Sequence, residues 1–465
     1  MTKDRRHSII AISLFSFYLL SFLFEGQVLH TIIKRFDISI QNIFLYAIIA
    51  NFLGLFICGF LINNQKNAKD VMVFSTITCI LFIMPFFFLP SLLWYISLII
   101  SSFAAGLYVA AWGFYFKNYT SSNEKIKTAA DVLVLSNILM IMINMAAIHL
   151  SPYIALASSV IILFISLYFQ MQLPKVQVID KDNEITGNFE AASQRNFINA
   201  FILLFIFITI ITVNSGFMYQ VINPAFEHLK WLVSWYWAIP YIIAIYIMKN
   251  LPKKINHNYM LYVAIAMIGF SFLAFMALGR SAGSYLIVNT LMLGACGVYD
   301  LFWWSILGEM LDYHDNPAKI FGMGLSANVL GIFIGSLIGN IGDDINARYR
   351  TTIIAFVVVF VTLMILPILH KYLLNLLRNH AFLSTFYKME EVKQNKNIRF
   401  LIELGKLTQR ESQIAELLLK GRTYKMIAEE LYLSENTVKT HVKNIYSKLQ
   451  VKSKVELMGL IIDKD

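Results

Sequence analysis

The stretch LTQRESQIAELLLKGRTYKMIAEELYLSENTVKTHVKNIYSKLQ, residues 407–450, follows a long apolar sequence and is dense in signals that start helices. Thr408 and Glu411 have the spacing of a capping box, and Ser434 has the side chain of an N-cap. Between these signals apolar residues recur at spacings of three and four, which predicts three short amphipathic helices. Ser453 opens a fourth. Two such helices joined by a turn of a few residues form a helix-turn-helix.

The third predicted helix, about residues 435–449, carries two different faces. Val438, Val442 and Ile445 form an apolar stripe that predicts packing on the first two helices. Another side is polar and cationic, with Asn436, Lys439, Thr440, Lys443 and Ser447. Lysine reads guanine O6 and N7, and hydroxyls and amides reach bases or phosphates, so this side is typical of a helix in the major groove of DNA. The alternative is that its lysines only solvate a surface helix.

Over residues 407–461 the sequence resembles the C-terminal domain of LuxR/NarL-type transcription regulators. The resemblance rests on Leu407-Thr408, Arg410-Glu411, Gly421, Lys425, Ile427-Ala428, Leu431, Ser434-Glu435, Thr437-Val438-Lys439, His441, Asn444-Ile445, Lys448-Leu449 and Val451. It implies a four-helix domain, here 404–465, whose third helix enters the major groove of double-stranded DNA. Base contacts are then implied for Lys439, Thr440 and Lys443, and phosphate contacts near Thr437, Asn444 and Lys448.

The fourth helix is the usual dimer contact of that family, which implies a homodimer on DNA through Val455, Leu457 and Met458. Two positions depart from the family's pattern. Met426 stands where Glu is frequent and Gln450 where Gly is usual, so the turn into the fourth helix is expected to differ in detail.

Outward from this domain the chain is dominated by apolar residues. Of 465 residues, 58% are hydrophobic and 14% charged, whereas a soluble domain carries about 25% charged residues. Twelve segments approach the roughly 20 apolar residues of a membrane span, near 8–29, 40–62, 71–89, 91–116, 128–150, 153–173, 197–219, 231–248, 259–279, 284–308, 318–341 and 351–370. A charged cytoplasmic loop, 174–195, divides them six and six. The sequence therefore predicts an all-α polytopic membrane domain, 1–370, embedded in lipid and followed by a helical cytoplasmic linker, 371–403.

The distribution of Lys and Arg predicts the orientation of these spans. With the N-terminus inside, the cytoplasmic loops hold fifteen Lys and Arg and the outer loops six, as the positive-inside rule requires. An even number of spans places both termini in the cytoplasm. The first apolar run is too long for a signal-peptide core and is interpreted as a retained span. We therefore expect a multi-pass protein of the bacterial cytoplasmic (inner) membrane.

The membrane domain resembles a major facilitator in its twelve spans, its central loop and a weak internal repeat. An offset of 191 residues aligns Trp112 with Trp303 and Asn137 with Asn328. The resemblance implies two halves of six helices with a substrate site between them.

Two predicted spans contain carboxylates, Glu25 in the first and Asp300 in the tenth. Ionisable residues within spans are costly and mark functional sites by default. Trp303 and Trp304 follow Asp300 at i+3 and i+4, and an acid beside two indoles suits a cationic or aromatic small molecule. These four residues are the predicted ligand site. Two alternatives stay open for Asp300, proton coupling and structural pairing with a polar group on a neighbouring helix.

Patterns for catalysis are missing from the sequence. It has no Gly-rich phosphate loop, nucleophile elbow or His/Cys cluster with metal-ligand spacing. We expect no enzyme activity, no metal and no cofactor.

The combination predicts a one-component regulator whose membrane domain senses a small molecule and controls DNA binding by the tail. The alternative is an active secondary transporter that carries a regulatory DNA-binding tail. In the loop that serves the gating cycle of major facilitators, Asn63 replaces the Asp and Lys66 the second Gly, which argues against transport. A tail that binds protein instead of DNA is a third possibility, disfavoured by its cationic face.

Overall fold

The computed structural model describes residues 2–24, 26–36, 41–121, 124–175, 191–251, 257–339, 345–388, 391–419, 422, 424–451 and 454–462. Within these ranges the regular structure is helical and contains no strand. The chain divides into two compact units, Met1–Val178 with Leu204–Pro367, and Ile179–Leu203 with Ile368–Asp465.

Twelve helical segments among the described residues are long and apolar enough to cross a membrane, which confirms the predicted number. They are Lys3–Lys34, Phe44–Leu61, Gln65–Phe87, Leu92–Tyr119, Lys125–His149, Pro152–Met171, Phe197–Ala225, Lys230–Lys249, Tyr259–Ala277, Ala282–Tyr313, Pro317–Gly339 and Tyr349–Leu373.

The helices themselves follow in chain order. They are α1 Lys3–Tyr18, α2 Gln27–Lys34, α3 Gln41–Leu61, α4 Gln65–Ile83, α5 Leu92–Tyr119, α6 Lys125–His149, α7 Pro152–Met171, α8 Ala191–Phe217, α9 Asn223–Ala225, α10 Lys230–Tyr236, α11 Ile239–Lys249, α12 His257–Ala277, α13 Ala282–Met310, α14 Pro317–Gly339 and α15 Ile345–Lys388. The tail adds α16 Glu391–Leu404, α17 Gln409–Leu419, α18 Tyr424–Glu430, α19 Glu435–Lys448 and α20 Lys454–Ile462.

The first and seventh spans are interrupted at corresponding places. A π-helical turn, Leu19–Leu23, separates α1 from α2, and another, Met218–Ile222, separates α8 from α9. At the first break a Cβ on Gly26 would lie 1.8 Å from the Ser21 carbonyl oxygen, so the chain passes too close for any side chain there. Both halves of the bundle thus carry a π-helical turn in their first span.

The first of the two compact units is called the membrane unit here, and its two halves hold the first six and the last six spans. The halves meet through α14, which packs against α3 and α5, and through α6, which packs against α11 and α13. Small residues permit the close approach: a Cβ on Gly322 would lie 2.3 Å from the Leu55 carbonyl oxygen and 2.7 Å from the Ala110 Cβ. Helices in lipid pack in this way because van der Waals contact, not water exclusion, holds them together.

In the tail, two of the three predicted N-terminal signals form, and the third, Ser453, lies outside the described residues. The Glu411 amide donates to Thr408 Oγ1 (3.3 Å) and the Thr408 amide donates to Glu411 Oε2 (2.8 Å). The Thr437 amide donates to Ser434 Oγ (3.0 Å). Gln450 has a φ of 57°, in the left-handed region, which explains why the related family usually has Gly there.

The segment predicted as the linker is helical in the part that the structure describes, as α15 and α16. The second half of this segment packs in the core of the tail. Ile398 and Leu401 of α16 are buried in one apolar cluster with Ile414 of α17, Val438 of α19 and Leu457 of α20. The domain limit expected at 404 therefore falls after a helix that is already part of the folded tail.

A candidate DNA-reading helix and a central cavity

A cavity of about 1140 Å³ lies between the halves of the membrane unit. Asn51 and Asn137 of the first half and Asp300, Trp304 and Asn328 of the second are among the residues that line it. The size exceeds the usual range of roughly 300–1,000 Å³ for small-molecule pockets, so it accommodates a ligand together with water.

Asp300 faces this cavity, but only one of the two predicted tryptophans does. Tyr241 Oη donates to Asp300 Oδ2 at 2.7 Å, and Trp304 lines the cavity beside them. Trp303 is buried away from it and stacks on Tyr299, with 6.1 Å between ring centroids. The prediction that both tryptophans line the cavity with Asp300 is therefore wrong. Only Trp304 lines it, and the second group beside Asp300 is the hydroxyl of Tyr241. Glu25, the fourth predicted ligand residue, lies outside the described residues.

Amide side chains contribute more to this cavity than the sequence indicated. The Asn137 amide donates to the Leu133 carbonyl of its own helix (2.8 Å), and Asn51 donates to the Ser102 carbonyl (3.0 Å). Asn144 lines the cavity with its Oδ1 buried and without a hydrogen-bond partner among the described residues. These three residues line the cavity, and the bond from Asn51 also joins α3 to α5.

One end of the cavity is closed by aromatic rings from both halves. The rings of Trp112 and Trp304 lie 6.1 Å apart, and Phe321 contacts both, at 5.7 and 5.2 Å. Trp112 Nε1 donates to Ser8 Oγ (2.8 Å). Trp112 is fully buried, and Trp304 belongs both to the cavity wall and to this closure.

Polar contacts between the halves surround the same closure. Lys125 pairs with Asp312 (3.5 Å), and Lys249 pairs with Asp131. Asn316 Nδ2 donates to the carbonyls of Gly59 (2.7 Å) and Ile62 (2.8 Å) and lies 3.3 Å from Asn63 Oδ1. An uncharged amide network therefore occupies the loop in which major facilitators usually carry an Asp.

At the opposite end, the mouth of the cavity is crossed by an ion pair between Lys34 and Glu227, one from each half. Their side chains are 57% and 46% exposed. The hydrogen bond from Lys34 outweighs the effect of burial and holds the pKa of Glu227 below its ordinary value. A pair this exposed contributes at most about 1 kcal/mol, so it closes the mouth only weakly.

In the tail, α19 separates its faces as predicted. Val438, Val442 and Ile445 are buried in the core of the tail. The predicted contact residues on the other side are exposed: Asn436, Thr437, Lys439, Thr440, Lys443, Asn444 and Lys448. Lys439 Nζ lies 2.9 Å from Glu435 Oε1 one turn earlier, a surface pair that exchanges easily for a phosphate or base.

Residues 405–461 match the family described as bacterial regulatory proteins, luxR family. The tail is a luxR-family helix-turn-helix domain. Similar regions occur in a putative regulator in the exeN 3′ region of Aeromonas salmonicida (45% identical over 58 residues) and in the nitrate/nitrite response regulator NarL of Escherichia coli K12 (44% over 54 residues). These matches cover 12% of this chain, and 30% and 25% of those proteins. The HTH-type transcriptional regulator MalT of Vibrio cholerae is 37% identical over 68 residues, which are 15% of this chain and 8% of that protein.

The membrane unit is similar in fold to solved transporters. The proton:xylose symporter XylE aligns with a TM-score of 0.61 at 12% identity, over 80% of this chain and 95% of that one. A bacterial homologue of the iron transporter ferroportin aligns with a TM-score of 0.57 at 12% identity, over 79% and 98%. The chain therefore joins a major-facilitator-like membrane fold to a luxR-type domain.

Within the luxR-type domain, Lys448 has an internal partner that the sequence did not reveal. Its Nζ lies 2.6 Å from Oε2 of Glu411, a carboxylate that is 5% exposed. Burial by itself raises the pKa of Glu411, but hydrogen bonds from Lys448 and from Thr408 outweigh it and lower that pKa. Lys448 thus stabilises the domain, and its expected phosphate contact stays a prediction.

The three residues of the predicted dimer contact also differ in what the structure shows of them. Leu457 is fully buried in the core of its own domain, so its side chain is not available to a second copy in this conformation. The side chains of Val455 and Met458 lie outside the described residues. Dimerisation through α20 stays a prediction that rests on those two.

Proposed function

We propose that this chain is a membrane-anchored, one-component transcription regulator. A small molecule bound in the central cavity changes the affinity of the luxR-type domain for its DNA site. The observation that supports this proposal most directly is the presence, in one chain, of an exposed cationic reading helix and a membrane unit with a ligand-sized cavity.

Trp304 supplies the coupling inside the membrane unit. It lines the cavity and also contacts Trp112 of the other half in the closure. A ligand that touches Trp304 in one arrangement of the halves, and loses that contact in another, shifts their equilibrium by the difference in its two affinities. The helix α15 continues from the twelfth span, Tyr349–Leu373, to Lys388, with Pro367 inside it, and it is the covalent route by which that shift reaches the tail.

The proposal places both termini in the cytoplasm and the spans in the bacterial inner membrane, because the charge bias of the loops favours that orientation and DNA is found there. The tail acts as a homodimer on DNA, since two reading helices spaced one turn apart read a two-fold symmetric site.

The decisive experiment replaces Lys439 and Lys443 by Ala in the full chain. Each base or phosphate contact is worth roughly 1–3 kcal/mol, so promoter binding should fall at least 30-fold, or about 2 kcal/mol at 1.4 kcal/mol per tenfold. Mapping of bound chromosomal sites and mobility shift with protein in nanodiscs measure it. The matched control is Lys396→Ala with Arg399→Ala, which removes the same charge from exposed positions of α16. Retained sequence-specific binding by the α19 variant, at equal membrane insertion, rejects the DNA-reading role.

The second candidate is an active transporter with a regulatory tail. The observation that favours it is a cavity between two halves, sealed at one end by Trp112 and Trp304 and only weakly closed at the other, which is the geometry of alternating access. Counterflow of a labelled ligand in proteoliposomes, abolished by Asp300→Asn, would support transport. Ligand binding with no counterflow would leave the sensor as the function.

A further inference from the structure

The eighth span, Lys230–Lys249, is divided in two near the mouth of the cavity. Its first part, α10, has seven residues and ends at Tyr236, a turn follows at residues 237–238, and α11 begins at Ile239. Pro240 lacks the amide proton that would continue the hydrogen-bond ladder of a single helix through this turn. The span therefore consists of a short and a long helix connected by a non-helical joint.

A side chain of the same half supports this joint. Asn289 of α13 is 4% exposed, and its Nδ2 donates to the main-chain carbonyl of Trp237 at 3.2 Å. Interruptions of a helix at membrane depth are tolerated where neighbouring side chains satisfy the backbone groups that the break frees. The joint is thus a built feature of the fold.

The short helix α10 is fastened to the other half of the membrane unit. It packs most extensively against α6, which belongs to the first half. Ser234 lies at this contact and is 2% exposed. Because the Ser234 hydroxyl donates to the Trp231 carbonyl at 2.7 Å, the 3.0 Å bond between Ser234 and His149 of α6 is donated by His149 Nε2. A hydrogen bond therefore latches a segment of the second half onto the first.

One face of α10 covers the mouth of the cavity. Lys230, Val233 and Trp237 all line the cavity, at spacings of three and four residues that place them on one helical face. Glu227, which forms the ion pair with Lys34 across the mouth, lies just before α10 in the chain. The helix α10 thus extends the closure that the ion pair begins.

We infer that α10 is a lid that opens by bending at residues 237–238 while the two halves of the membrane unit stay in contact. Opening breaks the His149–Ser234 hydrogen bond and the packing of α10 on α6. It leaves α11 in place, because α11 packs against both α13 and α6. The lid gives a small molecule a route into the cavity that needs no rocking of the halves. This inference does not depend on the proposed function, since a sensor and a transporter both need such a route.

The thiol of Cys296 lines the cavity and reports how often the lid is open. The test uses the full chain in nanodiscs, with the buried Cys58 and Cys79 replaced by Ala, and a small methanethiosulfonate reagent. Loss of one hydrogen bond in His149→Ala should raise the open population, and with it the labelling rate, about fivefold. The matched control is His228→Ala, whose ring is bonded within the second half and whose rate should stay as in the wild type. An equal rate in His149→Ala and the wild type overturns the inference.

A wedge at the contact between α10 and α6 separates bending of the lid from rocking of the halves. Ser234→Phe adds a ring at a buried position, so α10 has to leave α6. In a chain without cysteines, spin labels at Trp231 of α10 and Met276 of α12, both exposed, measure movement of α10 within the second half. The control pair is Ile243 of α11 with Met276. Because α10 is about 10 Å long, a tilt of about 20° moves its far end by roughly 3 Å.

The two distances give distinct results. For a lid, the distance from residue 231 to residue 276 changes in Ser234→Phe by roughly 2–4 Å, and the distance from residue 243 to residue 276 stays as in the wild type. Two unchanged distances would show that the eighth span moves as a rigid helix with its half, and a change in both would show that the half itself rearranges. Either result overturns the inference. If the wedge variant does not fold, the labelling rate of His149→Ala decides the question.

Discussion

Replacement of Glu411 by Ala tests how the luxR-type domain is held together. Glu411 Oε2 accepts from the Thr408 amide at 2.8 Å and from Lys448 Nζ at 2.6 Å, and the carboxylate is 5% exposed. One side chain therefore completes the cap of α17 and ties the end of α19 to the start of α17. Truncation leaves the Thr408 amide and the Lys448 ammonium without this partner.

The magnitude follows from these two contacts. Loss of a helix cap costs about 1 kcal/mol, and a hydrogen bond to a charged group is worth about 1.5–3 kcal/mol. Because the Lys448 side chain is 36% exposed, water solvates it after the loss, and the second contribution falls at the low end. The free energy of local unfolding should decrease by roughly 2–3 kcal/mol, which is a 30- to 150-fold change in the opening equilibrium at 1.4 kcal/mol per tenfold.

Hydrogen exchange of the full-length protein, followed by mass spectrometry, measures that opening directly. The amides of α17 and α19 should exchange 30- to 150-fold faster in Glu411→Ala, whereas Glu403→Ala, at an exposed position of α16, should leave them within about twofold. Glu411→Gln keeps the acceptor for Thr408 and loses only the charge, so it should fall between the two. An unchanged exchange rate in Glu411→Ala would show that the Glu411–Lys448 contact does not stabilise the domain.

The same contact predicts a pH dependence. The folded-state pKa of Glu411 is lowered, so its contribution is complete above the ordinary glutamate pKa and is lost as pH falls through the lowered value. The difference in protection between wild type and Glu411→Gln should therefore shrink toward acid. A difference that grows on acidification would contradict the assignment.

Two further predictions concern the membrane unit. Gly322→Leu puts a side chain where the Leu55 carbonyl oxygen is 2.3 Å from the Cβ position, so the two halves should separate there. The buried thiol of Cys58 should then react faster with maleimide. An unchanged labelling rate would refute the close packing of the halves at Gly322. Lys34→Glu should open the mouth by like-charge repulsion with Glu227, as an increased distance between spin labels on the first and seventh spans, and Glu227→Lys in the same chain should restore it. Acidification through the lowered pKa of Glu227 should have the same effect as breaking this pair, and a mouth insensitive to all three changes would exclude the ion pair as its closure.

Residues around Asp300 show where prediction from sequence stops. At 100° per residue, positions i+3 and i+4 lie on either side of Asp300 on its helix, so Trp303 and Trp304 are equally near to it in sequence terms. The rotation of α13 against its neighbours decides between them: Trp304 faces the cavity and Trp303 packs on Tyr299. Tyr241, 59 residues away along the chain, supplies the hydrogen bond to Asp300. No local sequence pattern predicts this contact.

The sequence by itself determined the twelve spans, the helical order of the tail and the two faces of α19. These follow from hydrophobic periodicity and capping residues, which act within a few positions of the chain. The tertiary structure alone decided that Lys448 pairs with Glu411, that Trp112 meets Trp304 at the closure of the cavity, and that Asn144 Oδ1 is buried without a partner among the described residues. Such contacts join residues that are distant in sequence, and they depend on how rigid helices rotate and pack against each other.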